Sequence, residues 1–417
     1  MSDRAAVLVA CHDCGEVYRV PELPEGGTAA CPRCGGTLFR HRTASIERAL
    51  ALNVAAFALF GVANLYPLMT MTIAGREQAT TLLEGSMALW RTHMEGLAAL
   101  VFLVAILIPL LRILGSLWVL GLAQLGRLGR RQAPVFRLVH LFHPWAMTEV
   151  YLLGLVVAWV KLKDLAQVHL GLGIVAFVGL IVVMVWAESA LEPHEVWERI
   201  QPQLRAPPGG DLADGDYLGC HACGQLAPDG DGHGPCPRCG AALHHRKPES
   251  LARTWALLAA AAILYVPANL LPIMTVTSRG QGEPDTILSG VKMMIAIGMW
   301  PVALLVFFAS ITVPILKVTG LVYLLVSVGR RSTRRQRDRT LMYRVIEQVG
   351  RWSMVDVFMI SILTALVSLG ELATIVPGKG AAAFAAVVIL TMLASASFDP
   401  RLIWDAGSER DVDRAPA

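Results

Sequence analysis

"PLLRILG" at residues 109–115 and "PILKVTG" at 314–320 each set a cation near the middle of an apolar run. A charge at the centre of a bilayer costs roughly 3 kcal/mol or more, so placing one there twice demands a reason. The surrounding runs, 96–124 and 301–328, are long enough to cross a hydrocarbon core of roughly 30 Å. Six more lie at about 46–70, 146–164, 172–190, 251–275, 353–370 and 380–398. The 417-residue chain is 55% hydrophobic and 16% charged, with a mean hydropathy of +0.54, which excludes an ordinary soluble domain. The expected class is an all-α polytopic membrane protein with eight spans.

The two opening stretches are 205 positions apart, and so are several others. "CPRCGG" at 31–36 returns as "CPRCGA" at 236–241, "NLYPLMTM" at 64–71 as "NLLPIMTV" at 269–276, and "TLLEG" at 81–85 as "TILSG" at 286–290. Further on the offset becomes 207, pairing "WAMTEVYLLG" at 145–154 with "WSMVDVFMIS" at 352–361. This is a tandem duplication of a unit made of a small four-cysteine module and four spans. An even span count inserts both units the same way up, unlike an inverted repeat. The expected divisions are a module at 8–42, a transmembrane unit at 43–200, a Pro/Gly/Asp-rich linker at 201–217, a second module at 218–247, a second unit at 248–405 and a disordered tail at 406–417. "PHEVWERI" at 193–200 and "PRLIWD" at 400–405 read as short interfacial helices.

Arginine placement gives the expected orientation. The connection 125–143 carries Arg127, Arg130, Arg131 and Arg137 with no acid, and 329–351 carries eight arginines against Asp338 and Glu347. These loops, the modules and both termini are expected in the cytoplasm. The N-terminal stretch lacks a signal-peptide core. The net charge of +4 is mostly this loop bias, so no nucleic-acid partner is expected.

All eight cysteines fall in two quartets, Cys11, Cys14, Cys31, Cys34 and Cys220, Cys223, Cys236, Cys239. Two C-x-x-C knuckles supply four thiolates, which suits tetrahedral zinc, and no cysteine is left over. A cytosolic setting disfavours disulfides. A rubredoxin-like iron centre uses the same ligands, and spacing leaves it open. Two structural zinc ions are preferred, in zinc-ribbon or rubredoxin-like modules too small to fold without metal. The histidines inside "CHDC" and "CHAC" are read as surface residues.

Inside the membrane, Lys317 stands about 11 residues from the end of its span near Val328, roughly 16 Å, too far to reach water along its own stem. Asp356 on the next span is its expected partner. Arg112 and Glu149 stand at the equivalent positions of the first unit and are expected to form a structural ion pair. Ser310 lies two turns before Lys317, Pro314 leaves the carbonyl of residue 310 free, and Ser353 and Thr391 add hydroxyls. Their first-unit counterparts are Ala105, Ala146 and Met184. Polarity retained in one copy only favours function, so Ser310, Lys317, Ser353, Asp356 and Thr391 are expected to line a transport cavity in the second unit. Asn64 and Pro67, with Asn269 and Pro272, close the first span of each unit; proline stops the helix and asparagine bonds the freed carbonyls.

The duplicated double C-x-x-C module with four spans, the two N-L-x-P elements and the P-x-L-[RK] elements resemble the paraquat-inducible protein A (PqiA/LetA) family over about residues 8–405. The resemblance implies a multi-pass subunit of a bacterial inner membrane, acting in phospholipid transport with a periplasmic MCE-domain tunnel protein and membrane lipids. No Walker A motif, Ser-His-Asp set, paired catalytic carboxylates or H-E-x-x-H is present, so no enzyme activity is expected. Two other readings stand beside transport: a membrane scaffold for the periplasmic partner, and a redox protein with iron in the cysteine sites.

Overall fold

The computed structural model describes residues 7–20, 23–40, 42, 44–73, 76–162, 167–202, 217–228, 234–278, 281–367 and 373–406. The expected linker and tail fall almost wholly outside them. Among the described residues, eight helices are long and apolar enough to cross a membrane: Ser45–Leu65, Glu95–Gln124, Arg130–Leu162 and Leu172–Ala190 in the first repeat, and Ser250–Leu270, Trp300–Gly329, Gln336–Leu366 and Lys379–Ser397 in the second. They are numbered here as spans one to eight. The mostly helical, duplicated architecture is the expected one.

Local sequence explains how the spans depart from plain helices. Pro109 and Pro314 have no N–H to donate, and a proline ring crowds the carbonyl four residues back. Spans two and six answer with a wide π turn, Leu103–Leu107 and Phe308–Thr312, in which the Ile108 and Val313 N–H groups bond five residues back. The helices then continue to Gln124 and Gly329. Spans three and seven open with amphipathic helices, Ala133–Leu141 and Gln336–Val349, in segments expected as basic loops. Ala133, Phe136 and Val139, and likewise Thr340, Tyr343 and Ile346, recur every three residues and are buried; Arg339 is buried beside the second stripe, where it donates to the Ser327 hydroxyl at 2.9 Å. A 3₁₀ turn follows each, His143–Trp145 and Gly350–Met354, before the apolar helices Thr148–Leu162 and Val355–Leu366.

Spans one and five end at Leu65 and Leu270, five residues earlier than their apolar runs suggested. Pro67 and Pro272 then lead into strands Met69–Ile73 and Met274–Ser278. Each strand is central in a three-stranded antiparallel sheet, with Arg76–Thr80 and Gln167–Leu170 in the first repeat and Gln281–Asp285 and Ala373–Pro377 in the second. Short helices Leu82–Arg91 and Ile287–Ala296 follow the hairpins, each opened by a capping box, Thr81 with Glu84 and Thr286 with Ser289.

Span one packs on spans two and four, and span five on spans six and eight. The repeats meet where Thr148–Leu162 of span three crosses Val355–Leu366 of span seven. A Cβ on Gly154 would come within 2.9 Å of the Phe358 Cβ, so the glycine sets how closely these helices approach. Every residue of Val355–Leu366 is buried, which makes this helix the centre of the molecule.

Each cysteine module is a pair of two-stranded hairpins, and each lies beneath the other repeat's spans. The first module's cysteines pack with Leu321, Tyr343, Ile346 and Phe398; the second module's pack with Ala49, Val119, Phe136 and Trp197. Polar contacts follow the same crossing. Arg344 donates to the Cys34 carbonyl at 3.4 Å, and its counterpart Arg137 donates to that of Cys239 at 3.5 Å. The Arg33 guanidinium stands 5.0 Å over Trp404, and Arg238 pairs with Glu198 at 3.5 Å.

Candidate functional site

Each module brings four sulfurs together at the tips of its hairpins. The glycines that follow the knuckles, Gly15, Gly35, Gly224 and Gly240, all have φ between +69° and +79°. Their N–H groups close the turns onto the carbonyls of Cys11, Cys31, Cys220 and Cys236. The sulfurs of each quartet lie within 4.8 Å of one another, with Cys11–Cys34 at 3.4 Å, Cys14–Cys31 at 3.7 Å, and Cys220–Cys239 and Cys223–Cys236 at 3.6 Å. Thiolates 2.3 Å from a tetrahedral ion stand roughly 3.8 Å apart, so both donor sets fit one. All eight thiols are free and buried. Four ligands leave no position for substrate. His12 and His221 lie outside both sets and meet edge to face, ring centroids 5.9 Å apart, where the modules touch. Burial, and then the Arg401 guanidinium beside it, push the His221 imidazole down to about 3, so it is neutral and accepts from Arg401.

In the second repeat the five expected cavity residues are all buried, but they form two groups. Lys317 Nζ donates to Thr391 Oγ1 at 3.0 Å. On its other side the ammonium lies against Gly350, where a Cβ would stand 2.7 Å away. Ser310, on the π turn, faces Asp356. The Ser310 and Ser353 hydroxyls and both Asp356 oxygens are sealed from solvent without a protein hydrogen-bond partner among the described residues. The expected Lys317–Asp356 ion pair does not form among those residues. The cation that Asp356 does feel is Lys161, contributed by span three of the other repeat, which also senses Asp285. Lys161 escaped the sequence because a lysine at the end of an apolar run reads as an ordinary flank.

The expected Arg112–Glu149 pair is likewise corrected. Arg112 Nη2 donates to Glu188 of span four at 2.6 Å, and His143 Nε2 meets the other Glu188 oxygen at 3.1 Å. Glu149 is exposed on the first turn of its helix. The turn at His143–Trp145 carries His143, not Glu149, toward Arg112. A cavity of about 300 Å³ opens beside this cluster.

The N-L-x-P elements end their helices as the prolines require. Asn64 Nδ2 donates to the Phe60 carbonyl at 2.8 Å, and Asn269 Nδ2 to that of Tyr265 at 2.9 Å. The Pro67 and Pro272 carbonyls accept from the Gly173 and Gly380 N–H groups at 3.1 and 3.0 Å. These contacts staple the end of one span to the start of another.

The family model described as paraquat-inducible protein A matches residues 46–201 and 251–407. The chain is 35% identical over 415 residues to intermembrane transport protein PqiA of Escherichia coli (strain K12), covering 99% of both chains. It is 35% identical over 401 residues to lipophilic envelope-spanning tunnel protein A of the same strain, covering 95% of this chain and 91% of that one. A probable intermembrane transport protein of Haemophilus influenzae (strain ATCC 51907 / DSM 11121 / KW20 / Rd) is 28% identical over 407 residues, 95% of each. No solved structure is matched at a significant level.

Proposed function

The chain belongs to the paraquat-inducible protein A family, and on that premise we propose that it is the inner-membrane subunit of a phospholipid transport system. It would move lipid between the inner membrane and a periplasmic MCE-domain tunnel protein, without catalysing a chemical step. The basic segments and the metal modules would face the cytoplasm, with the two three-stranded sheets on the partner's side. Each cysteine quartet would hold one structural zinc ion.

The observation that carries this reading is the polar site inside the second repeat. A carboxylate at the bilayer's depth is expensive unless it serves a pathway or finds a partner. Asp356 has hydroxyls beside it and two oxygens without protein donors, while Lys317 is held apart by Thr391 and Gly350. Such separated, buried charges suit a hydrated cavity that takes up a proton or answers an anionic headgroup.

Lipid-transport phenotypes test it. Lys317→Ala and Asp356→Asn should abolish transport at normal protein abundance, with Arg112→Ala less damaging. If all three merely lower abundance, or the first-repeat change is the worst, the second-repeat cavity is not the transport site.

A further inference from the structure

The first repeat has its own polar cavity, and its lining differs in kind from the buried site of the second. Asn53, Arg112, Ser116, His140, His143 and Glu188 contribute its polar wall. Glu188 lies two residues from the end of span four at Ala190, on the side of the metal modules, so the cavity reaches from Arg112 within span two toward that end. On the other side of helix Ala133–Leu141 runs an apolar groove of about 270 Å³, lined by Leu111, Leu114, Trp118, Leu138 and Phe142. Val139 borders both spaces.

We propose that the cavity seats the headgroup of a phospholipid bearing both a phosphate and a primary ammonium. This rests on the reading above that the protein handles lipid. The Arg112 side chain lines the cavity and is 11% exposed; Nη2 is engaged by Glu188 and Nε is sealed, which leaves Nη1 for a phosphate oxygen. Glu188 is partly open to the cavity, with a side chain 35% exposed, and its carboxylate accepts N–H donors. A headgroup with both charges can lie alongside the bonded Arg112–Glu188 pair, phosphate toward the guanidinium and ammonium toward the carboxylate, and leave neither uncompensated. A purely anionic headgroup sets its phosphate against Glu188 with nothing in exchange. A quaternary ammonium has no N–H to give.

The duplication supplies an internal control. The second-repeat counterparts of Asn53 and Ser116 are Leu258 and Leu321, both buried in a packed cluster, and those of His143 and Glu188 are Gly350 and Ser395. Equivalent helices thus pack well with leucine at these positions. The polar, open version in the first repeat is therefore not a requirement of the fold.

The test is native mass spectrometry of the intact purified protein with an equal mixture of phosphatidylethanolamine, phosphatidylcholine and phosphatidylglycerol of identical chains. Wild type should retain phosphatidylethanolamine over phosphatidylglycerol by roughly tenfold, the worth of one charge-assisted hydrogen bond, with phosphatidylcholine between them. Glu188→Gln should erase the preference, and Ser116→Leu should reduce phosphatidylethanolamine retention at an unchanged melting temperature. Retention without preference, or a preference that survives Glu188→Gln, overturns the seat and leaves the lipid reading standing. Retention of no phospholipid at all overturns both. Free phosphoethanolamine competing as well as the lipid would overturn the lipid seat, because the acyl chains would then contribute nothing.

Discussion

Arg344 Nη2 lies 3.4 Å from both the carbonyl oxygen and the sulfur of Cys34, a residue 310 positions earlier in the chain. Its Nε donates to Asp13 Oδ2 at 2.8 Å. Four thiolates around a divalent ion would carry excess negative charge, and a guanidinium from the opposite repeat is placed to meet it. Arg344→Ala leaves the largely buried Asp13 with only the exposed His12, 3.4 Å away, and should cost about 1–3 kcal/mol. A lowered melting temperature, partly restored in the Asp13→Asn, Arg344→Ala double variant, would show that the two act as a pair.

Metal content should be two ions per chain, falling to one in Cys31→Ser and in Cys236→Ser, with reduced abundance in each. Zinc without visible absorption is the expected element. Because the modules are crossed, the disturbance should appear in the other repeat. Amide exchange should rise in Gln336–Val349 for Cys31→Ser, and in Ala133–Leu141 for Cys236→Ser. Exchange confined to the mutated module's own repeat would contradict the crossed packing.

A Cβ on Gly173 would stand 2.4 Å from the Tyr66 carbonyl oxygen, and one on Gly380 2.5 Å from that of Leu271. Backbone cannot give way as a side-chain tip does. Gly173→Ala and Gly380→Ala should each destabilise by about 1–3 kcal/mol. Gly61→Ala, inside span one four residues from its end and with nothing within 4 Å, should be neutral or mildly stabilising. Thermal melts of the three variants in one detergent make the comparison.

Asp399 gives a pH dependence outside the membrane. Burial pushes its carboxyl up, but donation from Arg401 Nε and Nη2 at 3.1 and 2.9 Å, and from the Lys247 and Arg401 backbone, outweighs that and holds it well below the usual carboxylate range. A depressed folded-state value means stabilisation that is complete well above the ordinary carboxyl value of 3.8 and lost as pH falls below it. Asp399→Asn should therefore melt lower than wild type at pH 7, with the gap narrowing below about pH 4.

Much of this architecture is legible in the sequence, and what is hidden has physical causes. Span count, duplication and both cysteine quartets follow from run length, offset and spacing. The strands after Pro67 and Pro272 were concealed because "LMTM" and "IMTV" extend an apolar run, although their alternating threonines carry a period of two. Thr81 and Glu84 spelled a helix start that was available in the repeat "TLLEG". The partner of Arg112 was not available, since Glu149 and Glu188 are both acids near the same membrane face and only the turn at His143 decides between them. Lys161 approaches Asp356 through the contact between repeats, which no periodicity within one repeat reveals. Nor could the crossing of the modules be read, because two similar repeats offer two similar seats.

That crossing imposes an order on biogenesis. As the chain leaves the ribosome, the second module emerges when the spans that will cover it have already been made, and it can dock at once. The first module must wait for Arg344, 310 residues after Cys34, which at about 5–20 residues per second is roughly 15–60 s of synthesis. During that interval its thiols, with or without metal, are held only by their own hairpins. The earliest part of the polypeptide is thus the last to find its seat, and its docking closes the molecule.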